Sequence, residues 1–324
     1  MKIYEGLDQI PKGHASDHIT PGCIVLEGGA WRGLYTQGAL DALMEADLNF
    51  QTVIGVSAGA MSGFSYVSGQ IGRSARINLH YRHDPEYCGL GAMVHEHGIT
   101  GFTHCFTTLS EEEPLDEKAF NNPDRRFVVT ATDLETGKNA FFERGKTSDI
   151  MKAIQASATV PYVSEPVVID GRKYLDGGIA CKIPVDWALS EGYEKIVVLK
   201  TRDRSYRKPV KKPAHIIRTE YHNYPEFMRD LLEEAPAYNL LLDRIERLEQ
   251  HGRLFIMAPV KPITISRFEG DMDKLGDLYW QGYNETKKII PSLKEYLEKL
   301  LPAGSYFSEQ NCCSDGNIWY ELFQ

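Results

Sequence analysis

The sequence has no long apolar run. No stretch of about 18 apolar residues occurs, which excludes an ordinary membrane-spanning helix. Residues 1–17 contain no continuous apolar segment, so a secretory signal peptide is not expected. The formal net charge of -9 argues against the broad cationic surface that nucleic acids attract. We expect a soluble, cytoplasmic protein with no nucleic-acid partner, whose contact with a membrane, if any, is local and peripheral.

The sequence also lacks the patterns of disulfide and metal proteins. Its six cysteines form no Cys-x-x-Cys pair, and in a long chain without a signal peptide they are expected to be free thiols. Five of the ten histidines lie between His80 and His104, but their spacing matches no common ligand pattern. We expect this region to form a polar, partly exposed cap over an active site. No metal and no organic cofactor are expected.

Short apolar runs alternate with helical stretches in the first part of the chain. Strands are predicted at 23–26, 52–56, 126–132 and 195–200, and a helix at 34–46. This alternation predicts βαβ units and a mostly parallel sheet covered on both faces. After Arg202 the pattern changes to long helices, one of them from about Pro291 to Leu301, with a strand-like run at 254–258.

The expected architecture is a single three-layer α/β/α domain with helical additions at its C-terminal end. Open sheets of this kind bind ligands at the carboxyl ends of their strands, which is where we expect the site. The predicted division of the chain is an N-terminal extension at 1–21, a catalytic core at 22–200, a helical extension packed on the core at 201–302, and a tail at 303–324.

A nucleophile elbow is indicated where the second predicted strand ends. The segment Gly55-Val56-Ser57-Ala58-Gly59 follows an apolar strand and opens a stretch of small residues that can pack closely on the sheet. The turn is so sharp that its flanking positions need glycine, while the serine is pushed into the open. Ser57 is therefore the candidate nucleophile.

A glycine-rich loop follows the first predicted strand and directly precedes a helix. Consecutive small residues let backbone amides point together at a developing negative charge, and the helix N-terminus adds its positive end. This indicates an oxyanion hole, although a glycine turn that only connects strand and helix stays open. A dinucleotide fingerprint would need glycine at position 30, and a P-loop would need Lys-Ser or Lys-Thr after Gly33, so both nucleotide interpretations are excluded. The segment is Glu27-Gly28-Gly29-Ala30-Trp31-Arg32-Gly33.

A carboxylate in a third glycine-rich segment is the candidate base. Asp176 is followed by two glycines and preceded by a run at 169–175 that looks like a hairpin returning to the core. Such a carboxylate can activate a serine without an imidazole, provided that partial burial raises its pKa. By itself, Asp-Gly-Gly is more often an ordinary turn. A Ser-Asp-His triad is the competing arrangement, because His215, His222 and His251 follow Asp176 in the order used by α/β-hydrolases.

In this order, the three segments resemble the patatin-like phospholipases. That family joins a glycine-rich oxyanion loop ending in Arg-Gly, a Gly-x-Ser-x-Gly elbow and a late Asp-Gly-Gly or Asp-Gly-Ala. The resemblance covers roughly residues 22–200 and includes Ala-Ser-Ala-Thr-Val-Pro at 156–161 and Thr-Asp-Leu-Glu-Thr-Gly at 132–137. Residues 28–43, and Ser-Gly-Gln at 68–70, look especially like the bacterial cytoplasmic branch.

The resemblance implies a patatin-like fold and a serine acyl hydrolase that cleaves carboxylic ester bonds of lipids, like a phospholipase A or a lysophospholipase. It implies a catalytic dyad in which Ser57 is the nucleophile and Asp176 the general base. The family usually has a third glycine where Ala30 stands, and a Cβ atom disfavours positive φ. The remaining roles implied are oxyanion binding by the amides of Gly28, Gly29, Ala30 and Ala58, elbow formation by Gly55 and Gly59, and support of the loop by Arg32 and Gly33.

Other functions stay open beside this one. The altered position 30 would suit a weakly active or inactive protein that binds lipid or acyl chains, and an acyltransferase or thioesterase would use the same dyad. The expected partner is a lipid or acyl-ester substrate, and Arg32 is also suited to meet a phosphate head group. The basic run at 202–212 is either a solvated loop or a transient contact with anionic lipid head groups.

Overall fold

The computed structural model describes residues 2–210 and 221–299. Its strands are β1 Gly13–His14, β2 Thr20–Leu26, β3 Phe50–Val56, β4 Gln70–Ile71, β5 Arg126–Asp133, β6 Asn139–Glu143, β7 Val167–Ile169, β8 Arg172–Asp176, β9 Ile196–Leu199 and β10 Phe255–Met257. Its helices are α1 Gly33–Glu45, α2 Ala58–Val67, α3 Arg73–Tyr81, α4 Leu90–Glu96, α5 Phe102–Phe106, α6 Thr108–Glu112, α7 Glu117–Phe120, α8 Ile150–Ser157, α9 Val185–Ser190, α10 Pro225–Gln250 and α11 Met272–Glu298. Short 3-10 helices lie at Leu7–Gln9 and Ala30–Arg32.

An eight-stranded sheet forms the middle layer of the described fold. The strand order is β10-β9-β2-β3-β5-β8-β7, and β6 pairs with β5 beside β8. The first five strands of this order run parallel, whereas β6, β7 and β8 are antiparallel to their neighbours. β1 and β4 form a separate antiparallel pair. The predicted mostly parallel α/β sheet is confirmed.

Helices cover both faces of the sheet because the central strands are apolar on both sides. Successive side chains of β2 alternate between the two cores: Ile24 packs with α1, α2, α8 and α11, while Cys23 and Val25 pack with α9 and α10. Such doubly covered strands are typical of parallel sheets. The result is the three-layer α/β/α arrangement expected from the sequence.

The C-terminal helices are part of these layers. β10 extends the edge of the sheet beside β9, and α11 packs along α1. The two helices approach so closely that a Cβ atom built at Gly38 would overlap the carbonyl oxygen of Tyr279, and one at Gly282 would overlap that of Tyr35. No described helix is long and apolar enough to cross a membrane.

The predicted start of the last helix near Pro291 is wrong. α11 begins at Met272, and the side chain of Asp271 caps it by accepting hydrogen bonds from the N–H groups of Asp273 and Lys274. Pro291 lies inside this helix, where packing against α1 outweighs the preference of proline for a first turn. The predicted end at Leu301 and the tail at 303–324 lie outside the described residues.

Candidate active site

The strand-to-helix turn after β3 holds Ser57 in a strained backbone conformation. Its φ of 55° and ψ of -124° fall in a region that non-glycine residues rarely adopt. The N–H of Ser57 donates to the Oγ atom of the fully buried Ser157, with an N···O distance of 2.7 Å. The neighbouring helix therefore helps to fix the strained turn.

The two glycines of the elbow are required by close packing. A Cβ atom at Gly55 would lie 2.6 Å from the Cα atom of Ala60. A Cβ atom at Gly59 would overlap the carbonyl oxygen of Leu26, the last residue of β2. Only residues without a side chain let α2 begin this close to the sheet, and the start of α2 in turn positions Ser57.

Asp176 at the end of β8 lies directly beside Ser57. The Ser57 hydroxyl donates to Oδ2 of Asp176 at 2.8 Å, and the N–H of Gly178 donates to Oδ1 at 2.7 Å. The strand end is held in place because the N–H of Asp176 donates to the carbonyl oxygen of Thr159 at 2.8 Å. Both carboxylate oxygens are thus engaged, one of them by the candidate nucleophile.

The surroundings of Asp176 favour a proton acceptor of greater strength than an ordinary aspartate. Burial raises the pKa of its carboxyl group, while the nearby Lys182 ammonium and the Gly178 and Ser57 hydrogen bonds oppose that rise. Lys182 itself is ion-paired with Glu234 and donates to the carbonyl oxygen of Gly178 at 3.2 Å. A raised pKa suits a general base that must accept a proton from serine.

The glycine-rich loop after β2 lies against the elbow from the other side. A Cβ atom at Gly28 would be 3.0 Å from the Cβ atom of Ser57, so glycine is needed for this approach. Thr201, which follows β9, donates through its hydroxyl to the carbonyl oxygen of Gly28 at 3.0 Å and through its N–H to the buried Glu27 carboxylate at 2.6 Å. Tyr238 of α10 donates to the other oxygen of that carboxylate.

The loop presents backbone amides beside the candidate nucleophile. Ala30 adopts a φ of 49°, a left-handed conformation that favours glycine, and Gly29 has an extended φ of 178°. The N–H groups of Gly28, Gly29, Ala30 and Ala58 have no acceptor among the residues that the structure describes. Ala30 and Ala58 line the same cavity as Ser57.

Arg32 and Gly33 differ in what they do for the loop. A Cβ atom at Gly33 would be 3.0 Å from that of Ala58, so this glycine lets α1 and α2 begin side by side. The Arg32 side chain is buried, and burial together with the nearby Arg202 lowers its pKa to about 10. Its Nε atom has no hydrogen-bond partner among the described residues. Support of the loop by the Arg32 side chain stays a prediction.

A cavity of about 690 Å³ of empty space, open to solvent, lies above Ser57. Residues from the predicted cap line it, as do two residues that follow β10, Arg267 and Phe268. Arg82 connects these parts, because its guanidinium lies 4.6 Å from the ring of Trp31 and donates to the carbonyl oxygen of Phe268 at 3.0 Å. The cap residues in the lining are Tyr87, Cys88, Ile99 and Thr100.

The histidines of the cap make local polar contacts. His104 lies 3.3 Å from the Asp84 carboxylate, and His83 lies 2.8 Å from the carbonyl oxygen of Gly270. Within the two described ranges, no group of three His, Cys, Asp or Glu side chains is placed to hold a metal ion, and the four cysteines form no disulfide. No histidine lines the cavity above Ser57 among the residues described, and His215 lies outside them.

The basic run at 202–212 is largely paired with α10 where it is described. Arg204 contacts Glu249, Arg207 contacts Asp243 at 2.6 Å, and Lys208 contacts Glu234. Residues 211 and 212 lie outside the described part of the chain. Contact of this run with lipid head groups stays a prediction.

Two family models match the chain. The model of the patatin-like phospholipases matches residues 24–189, just over half of the 324 residues. The chain belongs to the patatin-like phospholipase family. This confirms the family assigned from the motifs. A second model, a domain of unknown function (DUF6363), matches residues 224–298, which hold α10 and α11.

Relatives of this patatin-like phospholipase family member come from distant sources. An uncharacterized protein of Escherichia coli, YjjU, is 28% identical over 184 residues, 55% of this chain and 51% of the relative. A probable lipid hydrolase, 463L, of Invertebrate iridescent virus 6 is 26% identical over 182 residues, 51% of this chain and 62% of the relative. The crystal structure of VipD from Legionella pneumophila is 13% identical, with a TM-score of 0.44 over 90% of this chain and 71% of that one. The chain thus spans about half to three fifths of the two curated relatives.

Several residues of this site were not predicted. Ser157 belongs to the Ala-Ser-x-x-x-Pro segment. The sequence feature that could have predicted its role is a polar residue at the otherwise apolar end of a helix. Glu27 and Thr201 hold the loop, and Arg267 and Phe268 line the cavity. Glu27 opens the glycine-rich segment but was given no role of its own, and the segments of the other three residues carry no motif. Only the strand order and the loop after β10 bring these residues to the site.

Proposed function

We propose that this protein is a serine acyl hydrolase that cleaves carboxylic ester bonds of lipids. The observation that carries the proposal is the hydrogen bond of 2.8 Å between the Ser57 hydroxyl and Asp176, because Ser57 lines a cavity together with Ala30 and Ala58. Family membership supports a lipid ester as substrate, as does the viral relative named a probable lipid hydrolase.

The proposed reaction is acyl transfer to water through the Ser57–Asp176 dyad. Asp176 takes the hydroxyl proton as the Ser57 oxygen attacks the ester carbonyl carbon, and the amides of Gly28, Gly29, Ala30 and Ala58 stabilise the oxyanion. Collapse of this intermediate expels the alcohol, which receives the proton from Asp176. Water then attacks the acyl-enzyme by the same route and releases the fatty acid.

The experiment compares hydrolysis of p-nitrophenyl butyrate by wild type, Ser57→Ala, Asp176→Asn and the control Ser190→Ala. Ser190 is an exposed serine at the end of α9, away from the cavity. We expect both dyad variants to lose at least about a thousandfold in kcat/KM and the control to keep its activity. Circular dichroism checks that each variant is folded.

Covalent labelling by a fluorophosphonate separates hydrolysis from binding alone. An active Ser57 should be labelled in wild type and not in Ser57→Ala. Full activity of folded Ser57→Ala would show that the nucleophile is elsewhere. A wild type that binds lipid but is neither labelled nor active would favour the lipid-binding function instead.

A further inference from the structure

A second cavity lies directly beside the one above Ser57. It comprises about 430 Å³ of empty space, part of it open to solvent, and shares four lining residues with the first cavity. These shared residues form the boundary between the two spaces, and we call them the junction. They are Gln37 of α1, Met61 of α2, Asn78 of α3 and Tyr87 of the cap.

The two cavities follow successive turns of α2. Ser57 and Ala58 line the first cavity, Phe64 and Ser65 line the second, and Met61 lines both. Residues three and four positions apart share one face of a helix, so all five belong to one stripe. With a rise of 1.5 Å per residue, Met61 lies about 6 Å from Ser57 along the helix axis. The second cavity therefore continues the first in the direction of α2.

The second cavity is suited to a hydrocarbon chain. Five of its nine other lining side chains are apolar. The polar ones already have partners: Arg73 donates to the carbonyl oxygen of Glu113 at 2.9 Å and to Ser65 at 3.2 Å, and the hydroxyls of Ser74 and Ser110 donate to Ser65 and to the carbonyl oxygen of Cys105. Transfer of methylene groups from water to such a surface is favourable. The apolar lining residues beyond the junction are Phe64, Ile77, Cys105, Phe106 and Ile154.

The junction opposes passage from the first cavity to the second. Tyr87 donates its hydroxyl to Oδ1 of Asn78 at 2.6 Å, which fixes these two side chains. Gln37 is 6% exposed, and its amide oxygen has no hydrogen-bond partner among the described residues. That oxygen is already shielded from solvent, and an alkyl chain in the junction offers it no hydrogen-bond donor, so the cost of its burial would stay uncompensated. Met61 is unbranched and adaptable, so it is the side chain most easily displaced.

We propose that the stripe along α2 is the acyl-chain site and that Met61 and Gln37 set the length of the chain it accepts. This proposal rests on the ester hydrolase function proposed above. Acyl groups that end before the junction fit in the first cavity. Longer groups enter the second cavity only by displacing Met61 and passing the Gln37 amide, so wild type favours short acyl groups.

The test is a series of p-nitrophenyl esters: acetate, butyrate, octanoate and palmitate. The readout is the ratio of kcat/KM for octanoate to that for acetate. Met61→Ala removes the side chain beyond Cβ, and even one methylene group in such a pocket discriminates by about tenfold, so we expect this ratio to rise at least about tenfold. Gln37→Leu, which replaces an amide whose oxygen is unpartnered among the described residues with a side chain of similar size, should raise it several-fold.

Met228→Ala is the matched control. Met228 is partly buried in α10, packs in a cluster outside both cavities, and should leave the ratio unchanged. Circular dichroism and thermal unfolding check the fold of each variant. Where a folded variant has lost turnover, calorimetric titration of octanoic acid into that variant and into wild type, both carrying Ser57→Ala, shows by binding whether the substitution admits the longer chain.

The outcomes separate this proposal from the one it rests on. Acetate hydrolysis that depends on Ser57, with a ratio that neither Met61→Ala nor Gln37→Leu changes, would overturn the length limit and leave the hydrolase function intact. A ratio that rises equally in Met228→Ala would also overturn it. A wild type that hydrolyses no ester of the series would overturn the hydrolase function, and the length limit with it.

Discussion

The two loops that meet at Ser57 contain similar glycine-rich sequences but differ in where their backbone is strained. After β3, the residue with positive φ is Ser57 itself, which lines the cavity and whose hydroxyl donates to Asp176. After β2, it is Ala30, whose amide is a candidate oxyanion donor. None of the glycines of these loops has a φ between +20° and +160°, although ten other described glycines do. Gly28 and Gly59 instead lie where a Cβ atom would meet neighbouring atoms.

This difference shows what the glycines of the two motifs do in the structure. They are usually associated with backbone freedom, but here they permit close approach of helices and loops to the sheet. The strained backbone conformations occur at Ser57 and Ala30, the residues that carry the proposed chemistry, and contacts with neighbouring residues stabilise these conformations. The effect of a substitution should therefore depend on what a new Cβ atom meets.

The largest expected effect is that of Gly59→Ala. The new Cβ atom would overlap the backbone of Leu26 in the central strand β2, which has little room to move. We expect a loss of about 3 kcal/mol in the free energy of unfolding and about a hundredfold in kcat/KM, because α2 and Ser57 are displaced. Denaturant unfolding and ester hydrolysis measure the two effects.

Gly270→Ala is the control, because the nearest atom to its Cβ, a ring carbon of His83, is 3.5 Å away. It should change stability by less than about 0.5 kcal/mol. A Gly59→Ala variant as stable and active as this control would contradict the close approach of α2 to β2.

Gly28→Ala should affect activity more than stability. Its Cβ atom would be 3.0 Å from both the Cβ atom of Ser57 and the carbonyl oxygen of Val56, a tight contact without overlap. We expect about 1 kcal/mol of destabilisation and at least a tenfold loss of kcat/KM, since the loop shifts relative to the nucleophile. If Gly28→Ala destabilised the fold but left kcat/KM of the folded protein nearly unchanged, the loop would be part of the core and not chiefly of the site.

The sequence predicted the local parts of this site better than their assembly. The elbow, the glycine loop and Asp176 were each recognisable from residue type and strand context. Ser57 and Asp176 are 119 positions apart, and they meet because β3 pairs with β5 and Ala131 of β5 pairs with Asp176 of β8. Strand order depends on packing over the whole chain, which local patterns do not contain.

The same limit applies to the C-terminal region. Periodicity predicted helices after Arg202, and the capping aspartate before Met272 was the missed signal for the start of α11. Nothing in the sequence indicated that Tyr238 of α10 would bind Glu27 or that Arg267 would line the cavity. These are single contacts between distant segments, and no periodic pattern reports them.

Lys182→Met should shift the pH dependence of kcat/KM, because it changes the pKa of Asp176. Burial raises the pKa of Asp176 and the Lys182 ammonium lowers it, so removal of that charge should raise it further. A general base acts when deprotonated, so kcat/KM should rise with pH through this pKa. The rising limb of the variant should lie at higher pH, with several-fold lower activity on the acid side.

Lys152→Met, at an exposed lysine of α8, is the control for that pH profile. Its rising limb should coincide with that of wild type. A limb that stays in place for Lys182→Met would mean that another group controls the profile, which would count against Asp176 as the base.

The smallest expected effect, and the sharpest comparison of the two loops, is that of Ala30→Gly. Glycine removes about 1 kcal/mol of left-handed strain from the folded state at the φ of 49°. It also stabilises the unfolded state by about 0.4–1 kcal/mol through added conformational entropy. The free energy of unfolding should therefore change by less than about 1 kcal/mol. The N–H group is retained, and Thr201 still holds the loop through Gly28, so kcat/KM should change by no more than about twofold.

Ala58→Gly, in the first turn of α2, is the matched control for this substitution. Ala58 has no positive φ, so glycine relieves no strain there and should destabilise by up to about 1 kcal/mol through helix propensity. The changes in thermal stability caused by the two substitutions should therefore differ in sign, or that of Ala58→Gly should be clearly the larger loss. Equal destabilisation would show that Ala30 bears no strain in solution, and the distinction between the loops would then rest on Ser57 alone.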